Sequence, residues 1–352
     1  MRRALNIGLC GLLLLNMAYV ISGVRRYPMN SIDVVGIWLL KAKAMFSEKK
    51  IVTSVLKNPK YSYSHPQYPP SLPFLGWGVY ESGGRIDERR VLLIYPAVYA
   101  AILTLTYGVM RKLNWGQTES LALTYMYSMF SPLLAQAGRK QAGNADIWLT
   151  LIYWAMLFLF FAGKTGKLRR VVALLSGAAA LIKTEGILSA AAILFIPGKR
   201  NDKLIWTAAA VAPFVLWEGA KKIWGIEADY GLHWPGAGGG ASRAAAVVLG
   251  TAKEMANVRN WYVFWPVMVL ATAGGKVKER PRQFALPVLL IMAAGMWGIY
   301  TMGEIPVGDY FSGSTDRLLL QLSPFWWTVF AEYLKVNRDT LAGLLQKLQR
   351  TF

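Results

Sequence analysis

The sequence predicts an all-α polytopic membrane protein, a bundle of about ten transmembrane helices whose first outer loop carries interfacial helices. Three observations lead there. The chain has 352 residues, 55% of them hydrophobic, with a mean hydropathy of +0.33. Apolar runs recur from one end to the other, so the membrane domain is expected to cover residues 1–334 rather than anchor a soluble one. Basic residues gather in alternate short loops, as the retention of Lys and Arg in the cytoplasm requires.

A helix rises 1.5 Å per residue and the hydrocarbon core is about 30 Å thick, so a span needs roughly 20 mostly apolar residues. The first run, 4–23, follows Met1-Arg2-Arg3 and ends at Arg25-Arg26 with no small-residue cleavage site, so it is expected to stay attached as a span. Further spans are expected at 91–110, 119–137, 146–162, 171–184, 186–197, 204–218, 260–273, 284–301 and 318–334. Lys183-Thr184-Glu185-Gly186 lies where the fifth and sixth would turn in a tight hairpin. Within the outer loop 24–90, residues 34–46 are too short to span and apolar apart from Lys41 and Lys43, as expected of a helix lying in the interface. The segment 65–73 holds four prolines, which should keep it extended and rigid. Residues 335–352, with Leu341, Leu344, Leu345 and Leu348 on one side, read as an amphipathic cytoplasmic tail.

With both termini in the cytoplasm, inner segments hold 19 of the 39 basic residues. The short outer loops hold only Arg139, Lys140, Lys183 and Arg317, and the rest fall in the long outer loops 24–90 and 219–259. The net charge of +20 therefore belongs to loops beside anionic lipid rather than to a nucleic-acid surface, since no basic soluble domain exists to carry one. The basic residues of the outer loops suit an anionic substrate as well as ordinary snorkelling. The single cysteine, Cys10, permits no internal disulfide, and His65 and His233 are the only histidines, so no zinc site is expected.

In this orientation the unusual polar residues fall on the outer face. Asp33 follows the first span, His65 sits in His65-Pro66-Gln67-Tyr68-Pro69-Pro70, Asp146 heads the fourth span, and Lys183 and Glu185 occupy the hairpin turn. Asp316 and Arg317 open the last span, near Glu304 and Asp309. Ionisable groups near membrane depth are costly and mark functional sites. Each also has an ordinary reading: Asp33 fits a helix N-cap and His65 a loop histidine. The run Trp234-Pro235-Gly236-Ala237-Gly238-Gly239-Gly240 lacks the lysine and threonine of a phosphate loop, and suits a mobile outer loop over the site.

An Asp after the first span, Trp38-Leu39-Leu40-Lys41-Ala42-Lys43, and His65-Pro66-Gln67-Tyr68-Pro69 together resemble the bacterial GT-C glycosyltransferases, membrane enzymes related to protein O-mannosyltransferases and the aminoarabinose transferase of lipid A. Asn144-Ala145-Asp146-Ile147-Trp148-Leu149, Leu181-Ile182-Lys183-Thr184-Glu185-Gly186 and Thr315-Asp316-Arg317-Leu318-Leu319-Leu320 follow in that family's order. Two features depart from it: Asp33 lacks an acidic neighbour, and Gln67 stands where many relatives carry an acid. The resemblance implies a GT-C-like bundle in the cell (inner) membrane that moves a sugar from a polyprenyl-phosphate donor to a lipid, glycan or protein acceptor at the outer face. It makes Asp33 the base, Lys183 and Arg317 the phosphate clamps, and Glu185 the partner that orients Lys183. His65, Tyr68 and Asp146 would then shape the sugar or acceptor pocket. No cofactor is expected, and a divalent ion shared by Asp33 and Asp146 is the one metal arrangement left open. The alternative is a transporter or flippase for lipid-linked sugars. Transporters carry internal repeats and midplane polar groups, whereas here no repeat is visible and the polar residues share a face.

Overall fold

The computed structural model describes residues 1–27, 29, 31–163, 165–227, 239–268, 279–302 and 313–338, and among them every regular element is helical. Helix α1 (Arg2–Arg26) is a run of leucines and other apolar residues that places Arg25 and Arg26 in its last turn, where cations complement the helix dipole. A π-helical segment (Asp33–Leu39) then feeds α2 (Leu40–Glu48) without a break. The interfacial helix expected at 34–46 is therefore longer. One side of it packs against the protein: Val34, Ile37, Trp38, Leu39, Lys41, Ala42 and Met45 are all buried, and α2 packs on α4 (Ser71–Gly83). Lys49 in the left-handed region stops α2. The amide and hydroxyl of Ser54, in α3 (Ser54–Lys57), donate to Glu48, and the hydroxyl's hydrogen bond holds that carboxyl below its usual range. The proline-rich stretch is likewise not extended throughout: a 3-10 helix (Pro59–Ser64) leads into turns over 65–70, and α4 starts at Ser71. Pro73 fits its first turn because an N–H there has no helical partner to lose.

A short α5 (Glu88–Leu92) leads into α6 (Ile94–Lys112). The span expected at 119–137 is divided into α7 (Gln117–Ser128) and α8 (Ser131–Gly138). Pro132 explains the break, since inside a continuous helix its ring would meet the carbonyl of Ser128. α9 (Asp146–Ala162) coincides with its expected span. α10 (Thr165–Ile182) ends as expected before the hairpin turn, but the returning arm (Thr184–Phe195) is a 3-10 helix. Its turn demands Gly186, because a Cβ there would enter the backbone of Ala179. Then come α11 (Arg200–Trp224), α12 (Gly239–Met255), α13 (Val258–Trp261), α14 (Glu279–Met302) and α15 (Thr315–Val336). The span expected at 260–273 is described only to 268, where 264–268 is helical. Most of the glycine-rich run, Glu304, Asp309 and the tail beyond 338 lie outside the described residues.

Among the described residues, three stretches are long and apolar enough to cross a membrane: Arg2–Arg26, Glu88–Lys112 and Gln283–Met302. Asp146–Ala162 and Thr184–Phe195 are shorter apolar helices. The exterior is correspondingly oily. Leu14, Leu174, Leu216 and Ile223 are between 70% and 83% exposed, an arrangement suited to lipid rather than water. Inside, α9 lies between α6 and α15. The Tyr127 hydroxyl shares a 2.6 Å hydrogen bond with Ser323, and Asn16 donates to Ser128 at 2.8 Å, so polar pairs tie the helices where aliphatic packing alone would not set their register. Tyr127, Phe130, Trp154, Phe264 and Trp327 form an aromatic cluster at the centre.

Helices α1 and α8 approach closely, where a Cβ added at Gly23 would run into the carbonyl of Gly138, and one at Gly138 into the carbonyl of Val20. Gly8 and Gly11 have nothing within 4 Å of an added Cβ. Gly23→Val is expected to destabilise the protein by about 1–3 kcal/mol, while Gly11→Ala is neutral or stabilising. Thermal unfolding of the purified protein reads this out, and a wild-type midpoint for Gly23→Val would remove the contact from the account.

Candidate functional site

The ends of α1, α9, α10 and α15 meet at one end of the bundle. Asp33 opens the π-helical segment after α1, Asp146 is the first residue of α9, Lys183 is the extended residue after α10, and Arg317 lies in the first turn of α15. Each helix can thus hold a charge at its end while keeping its middle apolar.

The four form one connected network. Lys183 Nζ lies 3.0 Å from Asp146 Oδ1 and 2.6 Å from Glu185 Oε1. Arg317 Nη1 pairs with Asp33 Oδ2 and lies 3.9 Å from Asp146 Oδ2. Gln321, one turn further along α15, donates to Asp146 Oδ1 at 2.6 Å, and the other guanidinium nitrogen of Arg317 donates to Ser314 at 3.0 Å. The Asp146 side chain is 2% exposed and that of Asp33 31%. This difference divides their roles. Asp146 is the buried counter-charge of two cations, whereas Asp33 keeps part of its carboxylate accessible. A buried charge survives only when paired and hydrogen-bonded, and Asp146 meets that demand with Lys183, Arg317 and Gln321.

These side chains line a cavity of about 340 Å³, within the range of roughly 300–1,000 Å³ usual for small-molecule sites. Asp33, His65, Tyr68, Asp146, Lys183 and Arg317 all border it. Glu185 does not border it and reaches the site only through its pair with Lys183. Asp33 is not an N-cap: Ile32 holds that position and makes no side-chain capping bond. The Arg317 guanidinium is the group that Asp33 and Asp146 have in common. Among the described residues, no group of three or more His, Cys, Asp or Glu is arranged to hold a metal. Each of the two expected clamps stands between two carboxylates, Lys183 between Asp146 and Glu185 and Arg317 between Asp33 and Asp146.

Sequence reasoning missed Gln321, Trp38 as a lining residue, and Tyr300. Gln321 carries a signal: a lone polar residue four positions after Arg317 in an apolar run falls on the same helix face. Trp38 and Tyr300 carry none, since aromatic residues are common at membrane interfaces.

Because Lys183 and Asp146 are buried partners, their substitutions should be strongly non-additive. Lys183→Met and Asp146→Asn are each expected to cost about 3–5 kcal/mol, and the double variant less than their sum by at least about 1 kcal/mol. Additivity within about 0.5 kcal/mol in equilibrium unfolding would mean that the two charges are not coupled. In comparisons with known proteins, the chain matches no family model, no curated protein and no solved structure.

Proposed function

We propose that the protein is a GT-C-like membrane glycosyltransferase that moves a sugar from a polyprenyl-phosphate donor to an acceptor at the outer face of the membrane. In this reading about ten helices cross the membrane, both termini are cytoplasmic, and the cavity opens outward. Among the described residues three helices are long and apolar enough to cross a membrane, and the further crossings rest on the apolar runs of the sequence and on the distribution of basic loops.

One observation carries the proposal: a reachable carboxylate and an arginine pair in a cavity at the ends of otherwise apolar helices. Glycosyl transfer from a lipid phosphate needs those two groups. The acceptor hydroxyl gives its proton to Asp33, its oxygen forms a bond to the anomeric carbon, and the bond from that carbon to the phosphate oxygen breaks with its electron pair leaving on the phosphate. Attack from the face opposite the phosphate inverts the anomeric centre. Arg317 offers the leaving phosphate two parallel N–H donors, with the charge of Lys183 behind it. No separate acid is required, because a phosphate leaves as an anion. Before the donor arrives Arg317 occupies Asp33. A phosphate that draws the guanidinium to itself frees the carboxylate oxygen to accept the acceptor's hydroxyl, so donor binding and base exposure occur together.

The test is sugar transfer from a polyprenyl-phosphate donor by purified protein at matched levels. Asp33→Asn keeps the shape and removes the proton acceptor, so turnover should fall by about two to four orders of magnitude with donor binding retained. Arg317→Ala should weaken donor binding by about 1.5–3 kcal/mol, and Arg317→Lys should restore it only in part. Asp33→Asn activity within a few-fold of wild type would remove Asp33 as the base, and transport of intact lipid-linked sugar without transfer would favour a flippase.

A further inference from the structure

One wall of the cavity is aromatic. Trp38 and Tyr68 stack with ring centroids 5.6 Å apart and planes 13° from parallel, and His65 lies against Tyr68 at 5.0 Å. The turn that presents His65 and Tyr68 is held from two distant parts of the chain. Lys41 is wholly buried and donates from Nζ to the His65 carbonyl at 2.5 Å. Its ammonium also lies 5.9 Å from the Trp38 ring centroid and 5.8 Å from that of Tyr68. Trp217, on α11, donates its indole N–H to the Gln67 carbonyl at 2.9 Å. The Tyr68 amide closes the turn on His65 at 3.0 Å. His65 itself has a φ of 49°, a left-handed conformation that a residue other than glycine keeps only where its surroundings impose it.

We infer that this wall is the seat of the transferred sugar, that the seat takes a neutral sugar ring, and that Lys41 and Trp217 are positioning residues that hold it in place. The inference rests on the glycosyl-transfer reading above. An aromatic face carries partial negative charge, and the C–H groups of a sugar ring carry the complementary partial positive charge. Stacked rings therefore suit a neutral sugar, while Arg317 holds the phosphate. The buried Lys41 ammonium, already lodged against Trp38 and Tyr68, disfavours a second cation on the same rings. An anionic sugar would be drawn to Arg317 and compete with its own phosphate. Lys41 and Trp217 do not border the cavity, so they act through the turn and the rings.

The experiment compares binding of three lipids to the full-length protein in nanodiscs: bare polyprenyl phosphate, the same lipid carrying glucose or mannose, and the same lipid carrying a 4-amino sugar. Wild type should bind a hexose form at least about tenfold more tightly than the amino-sugar form, a difference of about 1.4 kcal/mol. Lys41→Met removes the donor and keeps the side chain's length, and Trp217→Phe removes the N–H and keeps an aromatic ring. Each should weaken hexose-lipid binding about five- to tenfold and leave bare polyprenyl phosphate within about twofold, because Arg317 holds the phosphate. If Lys41→Met fails to fold, Trp217→Phe decides by the same readout. Equal losses for bare and sugar-bearing lipid, or a wild-type preference for the amino sugar, would overturn the inference. A wild type that binds none of the three lipids would instead overturn the glycosyl-transfer reading on which it rests.

Discussion

The site depends on the pairing of charge in a low-dielectric bundle. Asp146 is almost wholly buried and is acceptable there only because Lys183, Arg317 and Gln321 surround it. These partners come from separate parts of the chain, so satisfying one carboxylate fixes the ends of α9, α10 and α15 against one another. Asp33 then completes the set by taking the guanidinium from its more exposed side. Removing Asp146 would leave two cations without their shared partner, whereas removing Asp33 would leave Arg317 still facing Asp146. The architecture thus separates the buried charge, Asp146, from the partly exposed one, Asp33.

The two sides of the cavity answer different chemical demands. The charged side holds the Asp33 carboxylate and the Arg317 guanidinium, which the proposal makes proton acceptor and phosphate clamp, and the aromatic side holds stacked rings whose turn is pinned by Lys41 and Trp217. Both sit where apolar helices end, and in the proposed reading a lipid-borne headgroup would reach them while its tail stays in hydrocarbon. A transporter would place its polar groups along a path through the bundle. Here Asp33, Asp146, Lys183, Glu185 and Arg317 form one connected set, and the contacts around Tyr127 and Trp327 are mainly aromatic.

Much of the charged side was legible in the amino-acid sequence, for a physical reason. A charge in an apolar chain is conspicuous, and the rule that keeps basic loops inside assigns Asp33, Asp146, Lys183 and Arg317 to the same face before any coordinates exist. Helix α9 was equally legible because its apolar run is uninterrupted from Asp146 to Ala162. The break before Pro132 was not read from the hydropathy, which continues across it, although the proline was in view. The packing of one side of α2 against the protein was hidden because composition does not say what covers an apolar helix face. Lys41 shows this most clearly. In sequence it resembles a snorkelling lysine, and only the fold reveals a carbonyl and two rings around its ammonium. Gln321 and Trp217 belong with it, since a neutral hydrogen-bonding side chain in a helix declares its partner only in three dimensions.

The central claim is that the donor's phosphate takes Arg317 from Asp33. A structure of the protein in a lipid nanodisc, determined with a non-transferable hexosyl polyprenyl phosphate bound, tests it directly. The account predicts the phosphate on the Arg317 guanidinium, the Asp33 carboxylate released toward the anomeric carbon, and the sugar against Trp38 and Tyr68. A headgroup bound elsewhere on the bundle, with Arg317 still paired to Asp33, would contradict it.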